Sequence, residues 1–177
     1  MQEMTIYGVS FDLVGKQPIV LLKTVDANKF LPIWIGHSEA AAILMRLQEQ
    51  TPARPMTHDL FTEMLEQFEA RILKITVTEL KDSTFYATIT VQQNGSEIEL
   101  DSRPSDAIAL AVRTDAPIYA DERVIEESAI EFEGDAETTE AQISRSATLQ
   151  DVDPAEFRRF LDQVTPEEFA QPFEEDD

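Results

Sequence analysis

Between Met4 and Ile35, β-branched and aromatic residues are broken by turn formers at Gly15, Lys16, Gln17 and Pro18 and again at Asp26, Ala27 and Asn28, a pattern that favours strands over helices. It predicts three strands, near 4–14, 18–25 and 30–35. Gly36 ends the third, and Ser38 with Glu39 supplies a cap and an acidic first turn for a helix running through Gln50. The apolar side of that helix includes Ala42, Ile43 and Leu47, and the run Ala40, Ala41, Ala42 implies close packing. Pro52 and Pro55 bracket a loop. Thr57 then caps a second helix in which Leu60, Phe61, Met64, Leu65 and Phe68 recur at helical spacing.

Residues 71–80 and 84–92 alternate in the strand manner across Lys81, Asp82 and Ser83, and Asn94-Gly95 is a strong hairpin signal before a strand ending near Asp101. These three strands make an antiparallel meander. Ser102 to Pro104 opens a third helix, where Pro104 is tolerated because a first-turn amide has no intrahelical acceptor to lose. Ala107, Ile108, Ala111 and Val112 give it a small-residue face suited to a sheet. A strand at Pro117–Tyr119 and a brief helix from Asp121 to Glu127 close the unit.

Strands in two runs, interleaved with helices and without a long-period repeat, predict an α+β fold with a mixed or antiparallel sheet. Residues 1–130 form the domain. The stretch 131–150, acidic and poor in large apolar residues, reads as a linker. Within 151–177, Phe157, Phe160, Leu161 and Val164 recur at helical spacing, which predicts a short amphipathic helix able to dock back or bind a partner, followed by an acidic tail.

A length of 177 residues fits one domain with an appendage. The absence of cysteine removes disulfides, thiolate metal sites and a cysteine nucleophile, and fits a reducing compartment. No apolar run approaches the roughly 18 residues of a membrane span, and residues 1–5 lack a basic-then-hydrophobic leader, so the expectation is a cytoplasmic protein without a membrane partner. The net charge of −21 repels phosphate backbones at long range, although 14 of the 35 acidic residues lie beyond position 132.

There is no glycine-rich phosphate loop, nucleophile elbow or paired-histidine zinc motif. Two segments instead gather acid, base and hydroxyl groups at helix starts: Arg54-Pro55-Met56-Thr57-His58-Asp59 and Asp101-Ser102-Arg103-Pro104-Ser105-Asp106. Carboxylates from both could hold Mg²⁺ or Mn²⁺ through hard oxygen ligands, with Asp59, Asp101 and Asp106 as candidates and Glu63 one turn after Asp59 on the same side. Arg54 and Arg103 could neutralise a substrate phosphate, and His58, with Asp59 and Asp106, could move a proton near neutral pH. The alternatives are structural. First-turn aspartates complement the helix dipole, Thr57, Ser102 and Ser105 act as caps, His58 is a satisfied histidine, Trp34 packs in a core or interface, and the glutamates at 63, 66 and 69 form a solvated edge.

Five ordered stretches resemble the motifs of the bifunctional nuclease family: Leu31-Pro32-Ile33-Trp34-Ile35-Gly36 with Glu39-Ala40, then Arg54 to Leu60, Thr84-Phe85-Tyr86-Ala87, Asp101 to Ala111, and Ala116-Pro117-Ile118-Tyr119. The likeness spans about Ile6 to Ser128. It implies an α+β domain with a strongly curved sheet, a homodimer, and a nuclease acting on DNA and RNA. The expected function is metal-assisted phosphodiester hydrolysis. A noncatalytic ligand-binding or regulatory module using the same cleft is the alternative from a different class, and a purely architectural role for both motifs is a third.

Overall fold

The computed structural model describes residues 1–11 and 17–131. In chain order its elements are β1 (Gln2–Phe11), β2 (Pro18–Thr24), β3 (Lys29–Trp34), α1 (His37–Leu47), α2 (Thr57–Gln67), β4 (Ala70–Lys81), β5 (Thr84–Gln93), β6 (Ser96–Ser102), α3 (Pro104–Thr114), β7 (Ile118–Ala120), α4 (Glu122–Ser128) and β8 (Ile130–Glu131). The expected α+β architecture is present, built on one mixed sheet in the order β6-β5-β4-β7-β1-β2-β3-β8. The distal part of the first expected strand, 12–14, and the expected linker and C-terminal helix beyond Glu131 lie outside the described residues.

Local chemistry explains most of the ladder. Asn94 and Gly95 both adopt positive φ, 50° and 78°, as a two-residue type I′ turn demands, and register β5 against β6 from Gln93↔Ser96 to Ala87↔Ser102. Asp82 and Ser83 repeat that geometry between β4 and β5, with φ of 48° and 57° and Lys81 opposite Thr84. Two antiparallel meanders result, and three-residue β7 seams them: Ile118 pairs antiparallel with Met4 of β1 and parallel with Ile75 of β4. Glu131, expected to open the linker, instead lies opposite Lys29 in β8, where it extends the ladder beyond β3.

The core lies between this sheet and the helices. Ile75 and Val77 of β4 are fully buried with Ala107 and Ile108 of α3, each large side chain contributing about 1.5–3 kcal/mol relative to exposure. The small residues of α3 let it sit close to the sheet, and Pro104 occupies its first turn as the sequence predicts. The Ala40–Ala42 run of α1 is likewise buried.

Three local expectations are corrected. Helix α1 starts at His37 with Gly36 as its cap, placing Ser38 inside the first turn. Helix α2 is capped at Met56, not Thr57, because Asp59, three residues on, reaches back to accept the Met56 amide at 2.8 Å. Trp34, expected in a core or an interface, is not in the core but exposed at the end of β3. The apolar stripe of α2 has the expected helical form and is divided by the fold: Leu65 packs on the core, while Leu60, Phe61, Met64 and Phe68 face outward.

Candidate functional site

The starts of α2 and α3 meet in the fold and bring together His58 and Asp106, 48 positions apart in the chain. His58 Nε2 lies 3.3 Å from Asp106 Oδ1, with both side chains partly buried. Arg103, the cap residue of α3, grips the same carboxylate with two donors, Nε to Oδ2 at 2.7 Å and a terminal nitrogen to Oδ1 at 3.1 Å. That terminal nitrogen also lies 2.9 Å from Glu39 Oε1 on α1. Glu39, Arg103, Asp106 and His58 thus form one polar chain across three helices. A carboxylate only accepts, so Asp106 calls for the proton on His58 Nε2 and leaves Nδ1 as the basic nitrogen of a neutral ring.

Gly36 makes room for the first link, since a Cβ there would overlap the Glu39 carboxylate. The hydrogen bond from Arg103 to Asp106 is the largest influence on its guanidinium; together with the negative charges of Asp106 and Glu39 it outweighs partial burial and raises the Arg103 pKa above its ordinary value. Arg103 therefore stays cationic, and at 66% side-chain exposure it is reachable by a phosphate.

Asp59 belongs to a second, adjacent pairing. Its Oδ1 accepts Arg113 Nε at 2.6 Å, and Arg113, only 6% exposed, also donates to Ala109 O on its own helix at 2.8 Å and to Ala42 O on α1 at 3.2 Å. Burial pushes the Asp59 carboxyl up, but the Met56 amide, the Arg113 guanidinium and nearby His58 together win and hold it below the ordinary carboxylate value. Asp59 and Arg113 border two hollows, of about 250 Å³ beside Met45, Pro52 and Pro55 and about 280 Å³ beside Thr62, Glu63 and Glu66, with Arg46 at the edge of both.

Two expected participants stay apart from these pairings. Arg54 stands exposed in the loop before α2, and Asp101 is exposed on β6 opposite Thr88. Glu63 shares a hollow with Asp59, as their one-turn spacing implies. The four-carboxylate arrangement does not fit a metal ion as it stands: among the described residues no three His, Cys, Asp or Glu side chains gather to hold one. A guanidinium already occupies one oxygen of Asp59 and both oxygens of Asp106.

Residues 20–133, which include both pairings, match the bifunctional nuclease domain. The chain belongs to the bifunctional nuclease domain family. A protein of Mycobacterium tuberculosis described as uncharacterized is 34% identical over 171 residues, 96% of this chain and 98% of its own. Bifunctional nuclease 1 of Oryza sativa subsp. japonica is 28% identical over 116 residues, and Bifunctional nuclease 1 of Arabidopsis thaliana is 30% identical over 105 residues. These alignments cover 64% and 57% of this chain but 35% and 32% of the plant proteins, so the likeness to them is a likeness of the bifunctional nuclease domain.

Within this bifunctional nuclease domain, sequence reading missed Arg113 and gave Glu39 only a dipole role. Arg113 reads as ordinary charge complementation in the last turn of α3. The usable signal was its spacing: Asp106 and Arg113 lie seven residues apart on a helix otherwise lined with small apolar side chains, which puts one polar stripe opposite His58 and Asp59. No helix among the described residues is long and apolar enough to cross a membrane.

Proposed function

We propose that this chain is a nuclease cleaving phosphodiester bonds in DNA and RNA, with the His58–Asp106 pair as its proton-transfer group and Arg103 as its phosphate contact. The observation that carries the reading is the shared carboxylate: Asp106 orients the His58 ring while holding an exposed guanidinium beside it. Family membership supplies the reaction class. DNA has no 2′-hydroxyl, so action on both polymers calls for water as nucleophile. In the proposed step His58 Nδ1 takes a proton from water, the water oxygen bonds to phosphorus, and the phosphorus–oxygen ester bond breaks, the leaving oxygen taking a proton from the imidazolium or solvent. Arg103 balances charge developing on the phosphoryl oxygens. With a net charge of −21, encounter with a polyanion depends on such local cations and weakens as salt rises.

The test is turnover of fluorogenic single-stranded DNA and RNA by the purified chain, in Mg²⁺, in Mn²⁺ and in EDTA. The ion requirement expected from the sequence belongs to the proposal, because Mg²⁺ is commonly held by one or two carboxylates together with substrate phosphates and needs no protein cage. His58→Ala should lower turnover about 10²–10⁴-fold at unchanged circular dichroism. Equal turnover by wild type, His58→Ala and Asp106→Asn would remove the assignment. The same preparation reads the implied homodimer by light scattering.

The commitment of Asp59 to Arg113 and the Met56 amide favours a second reading, a noncatalytic binding module. It predicts saturable binding that falls with Arg103→Ala, without turnover in any ion.

A further inference from the structure

Among the described residues nothing covers the apolar stripe on the outward side of α2. Leu60, Phe61, Met64 and Phe68 are between 40% (Phe61) and 61% (Phe68) exposed, while the other side of the same helix sends Leu65 into the core and His58 to Asp106. An amphipathic helix ordinarily turns such a stripe inward, and a contiguous exposed one marks an interaction surface. Glu63 and Glu66 are also exposed on this helix, and its last turn carries no basic residue.

We propose that the occupant of this stripe is the chain's own segment 154–164, lying along α2 as an amphipathic helix. Phe157, Phe160, Leu161 and Val164 recur at i, i+3, i+4 and i+7, which gives the segment an apolar face of matching length. The tether selects it over a second copy of α2, which is present only at the concentration of the protein in solution. Reach is ample: 22 residues separate Glu131 from Pro154, an extended span of about 70 Å, and such a tether holds the segment at an effective concentration near the millimolar range. The Mycobacterium tuberculosis relative aligns over 96% of this chain, so the alignment runs past position 164, whereas the domain match ends at 133.

The sequence contains no cysteine, which makes disulfide trapping unambiguous. The full chain carrying Met64→Cys and Phe160→Cys is oxidised mildly at low micromolar concentration, then analysed by non-reducing electrophoresis and peptide mass spectrometry. A link between positions 64 and 160 within one chain, in more than half the protein and independent of dilution, is expected. A reduced product, a link only between chains, or equally fast dimer formation by Met64→Cys alone would each overturn the proposal, the last in favour of a second copy. Hydrogen exchange provides a separate reading: Phe160→Asp in the full chain should raise exchange at the α2 amides several-fold, and unchanged exchange would also overturn it.

Discussion

Replacing Arg113 with methionine removes the guanidinium that ties three helices together while keeping most of its aliphatic volume, so the change tests electrostatics with little added cavity. The charged bond to Asp59 is short, 2.6 Å, and the side chain is 6% exposed, which places it in the class of charge-assisted bonds worth about 1.5–3 kcal/mol. The two carbonyls it also engages, Ala42 O and Ala109 O, lie inside helices, so their bonds to Arg113 add only about 0.5 kcal/mol each, the low end of the net range. Asp59 keeps the Met56 amide and is 29% exposed, so water reaches the carboxylate left behind and limits the penalty. The expected destabilisation is about 3 kcal/mol, corresponding to a fall in Tm of about 10 °C for a unit of this size. Urea unfolding followed by circular dichroism gives the free energy, and a double-mutant cycle with Asp59→Asn isolates the pair, with an expected coupling of about 1.5–2 kcal/mol. A loss below about 1 kcal/mol, or additivity within about 0.5 kcal/mol, would refute the view that Arg113 fastens α1 and α2 to α3 through Asp59.

Two further outcomes follow from the same geometry. The Asp59 carboxyl is held below its ordinary value, 3.8, so the stability it contributes is fully present above that value and is lost as pH falls through the lower folded-state pKa. The free-energy gap between wild type and Asp59→Asn should therefore be constant from pH 7 to about 5 and close below about 4, as read by urea unfolding at each pH; a gap that widens on acidification would contradict it. At the β4–β5 turn, Ser83 sits at φ 57°, a conformation glycine adopts more readily, so Ser83→Gly turns Asp82-Ser83 into a favoured Asp-Gly pair. It should stabilise by about 0.5–1 kcal/mol, and a lower Tm would show that the serine makes a compensating contact.

The meeting of His58 with Asp106 gives the two polar segments a common location that neither shows alone. Asp59 and Asp106 each have an arginine, and the paired groups divide between the partly buried Asp106, shared by His58 and the exposed Arg103, and a largely buried clamp. The clamp positions α2, and α2 carries the histidine. A substitution at Arg113 is therefore expected to reach the site through stability and helix placement, not through substrate contact.

Hydrogen bonds and periodicities within a few residues fix what the sequence by itself determines here. Asn94-Gly95 sets one hairpin because its backbone tolerates positive φ, Pro104 marks the first turn of α3, and the small residues of that helix declare a close-packed face. Helical spacing from Leu60 to Phe68 identifies α2 as a helix, but an apolar stripe specifies only that some surface must cover it, and the core covers only Leu65. Tertiary structure alone decides the parallel seam of β7 on β4, the outward turn of α2, and the partners Arg113 and Glu39. Those outcomes depend on pairings between residues tens of positions apart, where many arrangements satisfy the same local pattern and only the simultaneous packing of sheet and helices selects one.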